Sequence, residues 1–158
     1  MLKKTADLAG SELVLTRTFS APRSLVWEAW TDPEHLSQWM GPREHPACSY
    51  ECDLRVGGAW RARLRAADGG PDLTVGGVYR EIVPAERLVF TFVWDEPHAA
   101  HGHNTLVTIS LADKGDGTEM TLRQQFLPSI EERDGHAHGW SSSFDRLAEH
   151  LDNSQSRA

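Results

Sequence analysis

Polar and apolar positions alternate from Glu12 to Phe19, with Leu13, Leu15, Arg17 and Phe19 on one side and Val14, Thr16 and Thr18 on the other. Period two predicts a strand. Ser20-Ala21-Pro22 then offers an N-cap and a proline near a first helical position. Val26 and Trp30 follow at i and i+4 beside Leu25 and Ala29, the mark of a short amphipathic helix. Thr31-Asp32-Pro33-Glu34 restarts a second helix carrying Leu36, Trp39 and Met40, and Gly41-Pro42 stops it.

The next stretch reads as strand and turn. Predicted strands cover Ala47–Leu54, Ala59–Ala67, Leu73–Val83, Arg87–Trp94, Asn104–Leu111 and Thr118–Phe126. In the second of these Trp60, Ala62, Leu64 and Ala66 alternate with Arg61, Arg63 and Arg65, giving a half-buried strand with a basic outer face. Gly76-Gly77 marks a candidate bulge. Beyond Ser129, Trp140, Phe144, Leu147 and Leu151 recur at i, i+4, i+7 and i+11, which predicts one long helix to about Leu151, then a frayed polar tail over 152–158. The order is one strand, two short helices, about six strands and a long helix. An antiparallel meander of that size has one apolar face, and only the last helix is long enough to cover it, so the class is α+β.

Length and charge narrow this further. The 158 residues fit one domain, 1–158, with its core over about 12–151. Sixteen Lys and Arg against 23 Asp and Glu give a net charge of −7, which argues against nucleic acid as a partner. No apolar run approaches a membrane span and no signal core follows Met1-Leu2-Lys3-Lys4, so a cytoplasmic location is expected. Cys48 and Cys52 share a predicted strand, where about 3.3 Å per residue sets their Cα atoms roughly 13 Å apart. A disulfide needs less than about 7 Å, so free thiols are expected.

The stretch Phe19–Pro42, through Ser20-Ala21-Pro22-Arg23, Trp27-Glu28-Ala29-Trp30, Thr31-Asp32-Pro33-Glu34-His35-Leu36 and Trp39-Met40-Gly41-Pro42, closely resembles the opening signature of the heat-shock-protein-90 ATPase-activator homologue family. That family is a branch of the START-like (SRPBCC), helix-grip superfamily. Val56-Gly57-Gly58-Ala59-Trp60, Gly77-Val78-Tyr79-Arg80-Glu81-Ile82 running into Pro84–Trp94, and Gly139-Trp140 agree in the same order, so the resemblance spans roughly residues 12 to 151. It implies a curved antiparallel sheet of six or seven strands gripping the C-terminal helix over a cavity. It also implies an apolar or amphipathic small molecule as ligand, and some relatives catalyse cyclisation or hydrolysis there. The name-giving co-chaperone carries a separate client-binding domain, for which 158 residues leave no room. Many members show a histidine where this chain has Gln124, so proton transfer by that residue is not carried over.

Among the six tryptophans, Trp39, Trp60, Trp94 and Trp140 are candidates to line such a cavity, whereas Trp30 reads as core. Tyr79 and Phe92 join the lining, with Glu81 and Gln124 as polar anchors. Glu81 has two readings. Simple alternation with Tyr79 turns it inward, where a carboxylate could act as acid or base. A register change at Gly76-Gly77 instead leaves it in water beside an arginine. His98, His101 and His103 form H-x2-H-x-H, but without a full ligand set they read as a solvated loop, and no metal or cofactor is expected. His136 and His138 lie two apart on the helix and cannot chelate as an i, i+4 pair. Serine-nucleophile, zinc-protease and phosphate-loop templates are absent. The reading placed first is a module that binds an apolar or aromatic small molecule or lipid. An enzyme acting on such a ligand through Glu81, and a chaperone-associated stress-response protein, are the alternatives; a chaperone contact and a homodimer stay open.

Overall fold

The computed structural model describes residues 12–95 and 104–156. Seven strands form one antiparallel sheet: β1 (Glu12–Phe19), β2 (Ala47–Cys52), β3 (Ala59–Leu64), β4 (Leu73–Val83), β5 (Arg87–Trp94), β6 (Thr105–Lys114) and β7 (Gly117–Gln125). Their spatial order is β1-β7-β6-β5-β4-β3-β2. Two short helices, α1 (Arg23–Thr31) and α2 (Pro33–Trp39), carry the chain from β1 at one edge to β2 at the other, and α3 (Ile130–Ser156) closes the fold. This is the helix-grip architecture.

Alternation decides which side chains meet α3. Trp60, Ala62 and Leu64 of β3, Phe90 and Phe92 of β5, Val107, Ile109 and Leu111 of β6, and Met120, Leu122 and Gln124 of β7 are all buried. The α3 stripe of Trp140, Phe144, Leu147 and Leu151 is buried as well. Trp30 of α1 joins the two layers, its ring centroid 6.1 Å from that of Trp140, and its indole N–H points at Met120 Sδ, 3.1 Å away.

Local chemistry sets the helix ends. Asp32 ends α1 and caps α2, its carboxylate accepting from the Glu34 amide at 2.9 Å with Pro33 next in line. Ser20 does not cap α1; the residue before that helix is Pro22, with no side-chain cap. Ser129 caps α3 by accepting from the Glu132 amide at 3.1 Å. That helix runs past the predicted fray at Asp152 to Ser156, because Gln155 Nε2 donates to the Ser20 carbonyl at 2.8 Å and ties its last turn to the body.

The bulge falls further along the strand than the glycine pair suggests. At Gly76-Gly77 the strand stays paired with β3, and the register shift lies between Tyr79 and Glu81. Gly77 answers a close approach: a Cβ there would lie 1.9 Å from the Thr91 carbonyl oxygen. Among the described residues, no helix is long and apolar enough to cross a membrane.

Candidate functional site

Between the first half of α3 and the β3–β5 part of the sheet lies a pocket of about 360 Å³. Leu64, Leu73, Val75, Phe92 and Trp94 form its sheet wall. Met40, Gly41, Pro42 and His45, from the turn after α2, form a second side. The helix contributes Glu131, Glu132, Gly135, His136, His138, Gly139, Trp140 and Ser143. The space exists partly because α3 presents glycine at 135 and 139, one turn apart, where a Cβ would meet no atom within 4 Å. The turn after α2 is held by Arg146, which donates to the carbonyls of Gln38, Met40 and Gly41 at 2.7–2.8 Å.

Behind the aromatic wall runs a buried hydrogen-bond chain. The Thr105 hydroxyl donates to the Phe92 carbonyl at 2.8 Å and accepts from Gln124 Nε2 at 2.9 Å. Gln124 Oε1 accepts from the Trp140 indole at 2.9 Å and lies 3.1 Å from His136 Nδ1. On the other side of the imidazole, Trp94 Nε1 donates to His136 Nε2 at 3.3 Å. An amide oxygen only accepts and an indole N–H only donates, so the proton sits on Nδ1 and His136 is neutral. Burial pushes its pKa below the usual 6.5, opposed by Glu132, whose Oε1 is 3.9 Å from Nε2.

The structure sorts the residues expected at the site. Phe92, Trp94 and Trp140 stand together in the pocket wall. Gln124 is fully buried one layer behind them and reaches the pocket only through His136 and Trp140. Trp60 is core: its indole donates to the Thr91 carbonyl at 3.0 Å and its ring stacks on Tyr50. Trp39 is also core, donating to the Ala29 carbonyl at 2.8 Å. The Tyr79 hydroxyl lies 3.4 Å from that of Tyr50, and burial pushes both phenols up.

Glu81 corrects the inward reading. The bulge after Tyr79 puts two successive side chains out of phase, so Tyr79 is buried while Glu81 faces water in a two-pronged pair with Arg87, at 3.0 and 2.9 Å. That guanidinium holds the Glu81 carboxyl below the usual carboxylate range. His98, His101 and His103 lie outside the described residues, and among the described ones no three metal-ligating side chains converge. Cys48 and Cys52 are free.

Sequence reasoning missed His136, Glu132 and the turn at Met40–His45. For His136 a signal was present: it lies four residues before Trp140, on the same apolar stripe. The turn after α2 carries no comparable mark, since its place against α3 is a tertiary contact.

A curved antiparallel sheet gripping a long terminal helix, with an aromatic-walled cavity between them, defines a START-like protein. The signature of the Activator of Hsp90 ATPase homolog 1-like family matches residues 20–152, and the chain belongs to that family. A Chromobacterium violaceum protein of solved structure is 30% identical, with a TM-score of 0.80 over 89% of this chain and 96% of its own. The AHSA1 protein of Silicibacter pomeroyi, 24% identical, shares the fold with a TM-score of 0.81 over 91% and 99% of the two chains. A Nitrosomonas europaea protein, also 24% identical, does so at 0.77 over 92% and 97%. No curated protein sequence matches the chain.

Proposed function

We propose that this protein binds a small molecule with an apolar or aromatic body in the pocket between α3 and strands β3–β5. The observation that carries this reading is a preformed space of about 360 Å³ walled by Phe92, Trp94 and Trp140. Concave, largely apolar sites with a few placed polar groups are the usual form of small-molecule sites. The position of Glu81, outside the pocket and committed to Arg87, supports binding over acid–base chemistry by that carboxylate.

The test is a panel of aromatic and lipid compounds followed by tryptophan fluorescence and melting temperature. A ligand of the native state should quench or shift Trp94 and Trp140 emission and raise the melting temperature by mass action. Gly139→Leu places a side chain in open space, so that variant should stay folded and lose the response. A parent protein silent to the whole panel, or a Gly139→Leu protein that binds as the parent does, would end the reading.

A further inference from the structure

The polar end of the pocket carries the carboxylates of the first turn of α3. His136 Nδ1 spends its hydrogen on Gln124, and its Nε2 lone pair accepts the Trp94 indole N–H at 3.3 Å. Glu132 Oε1 lies 3.9 Å from Nε2, which carries no hydrogen to give it. Glu131 adds a second carboxylate, and among the described residues the lining contains neither lysine nor arginine. Nearby guanidinium groups are engaged elsewhere: Arg43 on Glu149, Arg133 on Asp134 and Arg146 on three backbone carbonyls.

Two other features favour the same charge. Phe92, Trp94 and Trp140 line the pocket, and aromatic rings attract a cation to their faces. The start of α3, which would otherwise draw an anion, already has Ser129 on the Glu132 amide and two first-turn carboxylates of its own. An acidic ligand head would meet those carboxylates with no lysine or arginine among the described lining residues to balance it.

We infer that the pocket selects an amphipathic amine: an aromatic body against Phe92, Trp94 and Trp140, and a protonated amino head that donates to the Glu132 carboxylate. The inference rests on the pocket being a binding site and adds the charge and hydrogen-bonding sense of its ligand. The neutral imidazole has no hydrogen on Nε2 to offer Glu132, and a protonated amino head supplies one.

Three probes with one ring system separate this from simpler readings: 2-(1-naphthyl)ethylamine, 2-(1-naphthyl)ethanol and 1-naphthylacetate. Titration calorimetry gives their affinities, and nitrogen-resolved NMR follows the His136 imidazole and the Trp94 indole. The amine should bind about tenfold or more tighter than the alcohol, as charge-assisted hydrogen bonds allow, and the acid weakest of the three. Its signals should move at His136 Nε2 and at Trp94. Glu132→Gln leaves the α3 cap in place, because Ser129 bonds the backbone amide. It should bring the amine to within about threefold of the alcohol.

Equal affinities, a preference for the acid, or an amine preference that survives Glu132→Gln would overturn the inference while leaving an apolar pocket standing. Binding of the amine with shifts confined to other residues overturns it as well. If none of the three probes binds, the inference falls, and the broader compound panel then decides the fate of the pocket itself.

Discussion

The amide of Gln124 has only one workable orientation. Trp140 can only donate, and the Thr105 hydroxyl has given its hydrogen to the Phe92 carbonyl, so oxygen must face Trp140 and nitrogen must face Thr105. Gln124→Leu should therefore cost roughly 2–6 kcal/mol in denaturant unfolding, because two buried donors lose their acceptor at about 1–3 kcal/mol each. A change below about 0.5 kcal/mol, the level of an ordinary surface substitution, would show that the chain is not coupled as described. The same network fixes a pH response. Folding keeps His136 neutral and lowers its pKa, while the unfolded histidine titrates near 6.5. Its contribution to stability is thus fully present above about pH 6.5 and is lost as pH falls through the depressed folded value. NMR titration should find the Nδ1–H tautomer and a midpoint below 6.5; a midpoint at or above that value, or the opposite tautomer, would contradict the geometry. At this scale the sequence misled chiefly where phase was lost. One bulged residue after Tyr79 turns Glu81 outward, and nothing in the identities of Arg80 or Glu81 announces it.

The elements were far more legible, because period two and period 3.6 are repeated over many residues and survive local irregularity. β1, β4 and β5 have the ends that alternation gives them, and the stripe Trp140, Phe144, Leu147 and Leu151 faces the sheet as its spacing requires. The differences lie at ends set by tertiary contacts: β3 stops at Leu64, three residues before its predicted end, and Gln155 extends α3 by gripping the Ser20 carbonyl. Gly76-Gly77 signalled irregularity, but its cause is the Thr91 carbonyl pressed against Gly77, a contact with another strand. Since α3 covers the apolar face of the sheet, a chain ending before Ser129 should lose its cooperative melting transition. Trp140→Ala alone should cost about 3–5 kcal/mol, the usual range for emptying a large buried aromatic site. A truncated protein with a sharp calorimetric transition would show that the sheet is closed by something other than α3.

For the molecule as a whole, charge and topology act on different properties. The net charge of −7 is carried on a surface laced with exposed ion pairs, such as Arg17–Asp145 and Arg123–Glu12. Each of these is worth little, since exposed pairs contribute about 0–1 kcal/mol. The pocket is different in kind: its walls come from stretches around residues 40–45, 64–75, 92–94 and 131–143, so no local piece of the chain contains it. The order of strands carries a kinetic consequence. β1 is made first but pairs only with β7, so that Glu12 meets Arg123, 111 residues further along. On the ribosome, β2 through β5 can zip into a meander as they emerge, while β1 waits at an unpaired edge for its neighbour. The sheet then lies bare on its apolar face until α3 follows. Long-range closure of this sort places folding in the slower regime of non-local topologies, and the interval before α3 docks is when the nascent chain is most exposed to aggregation.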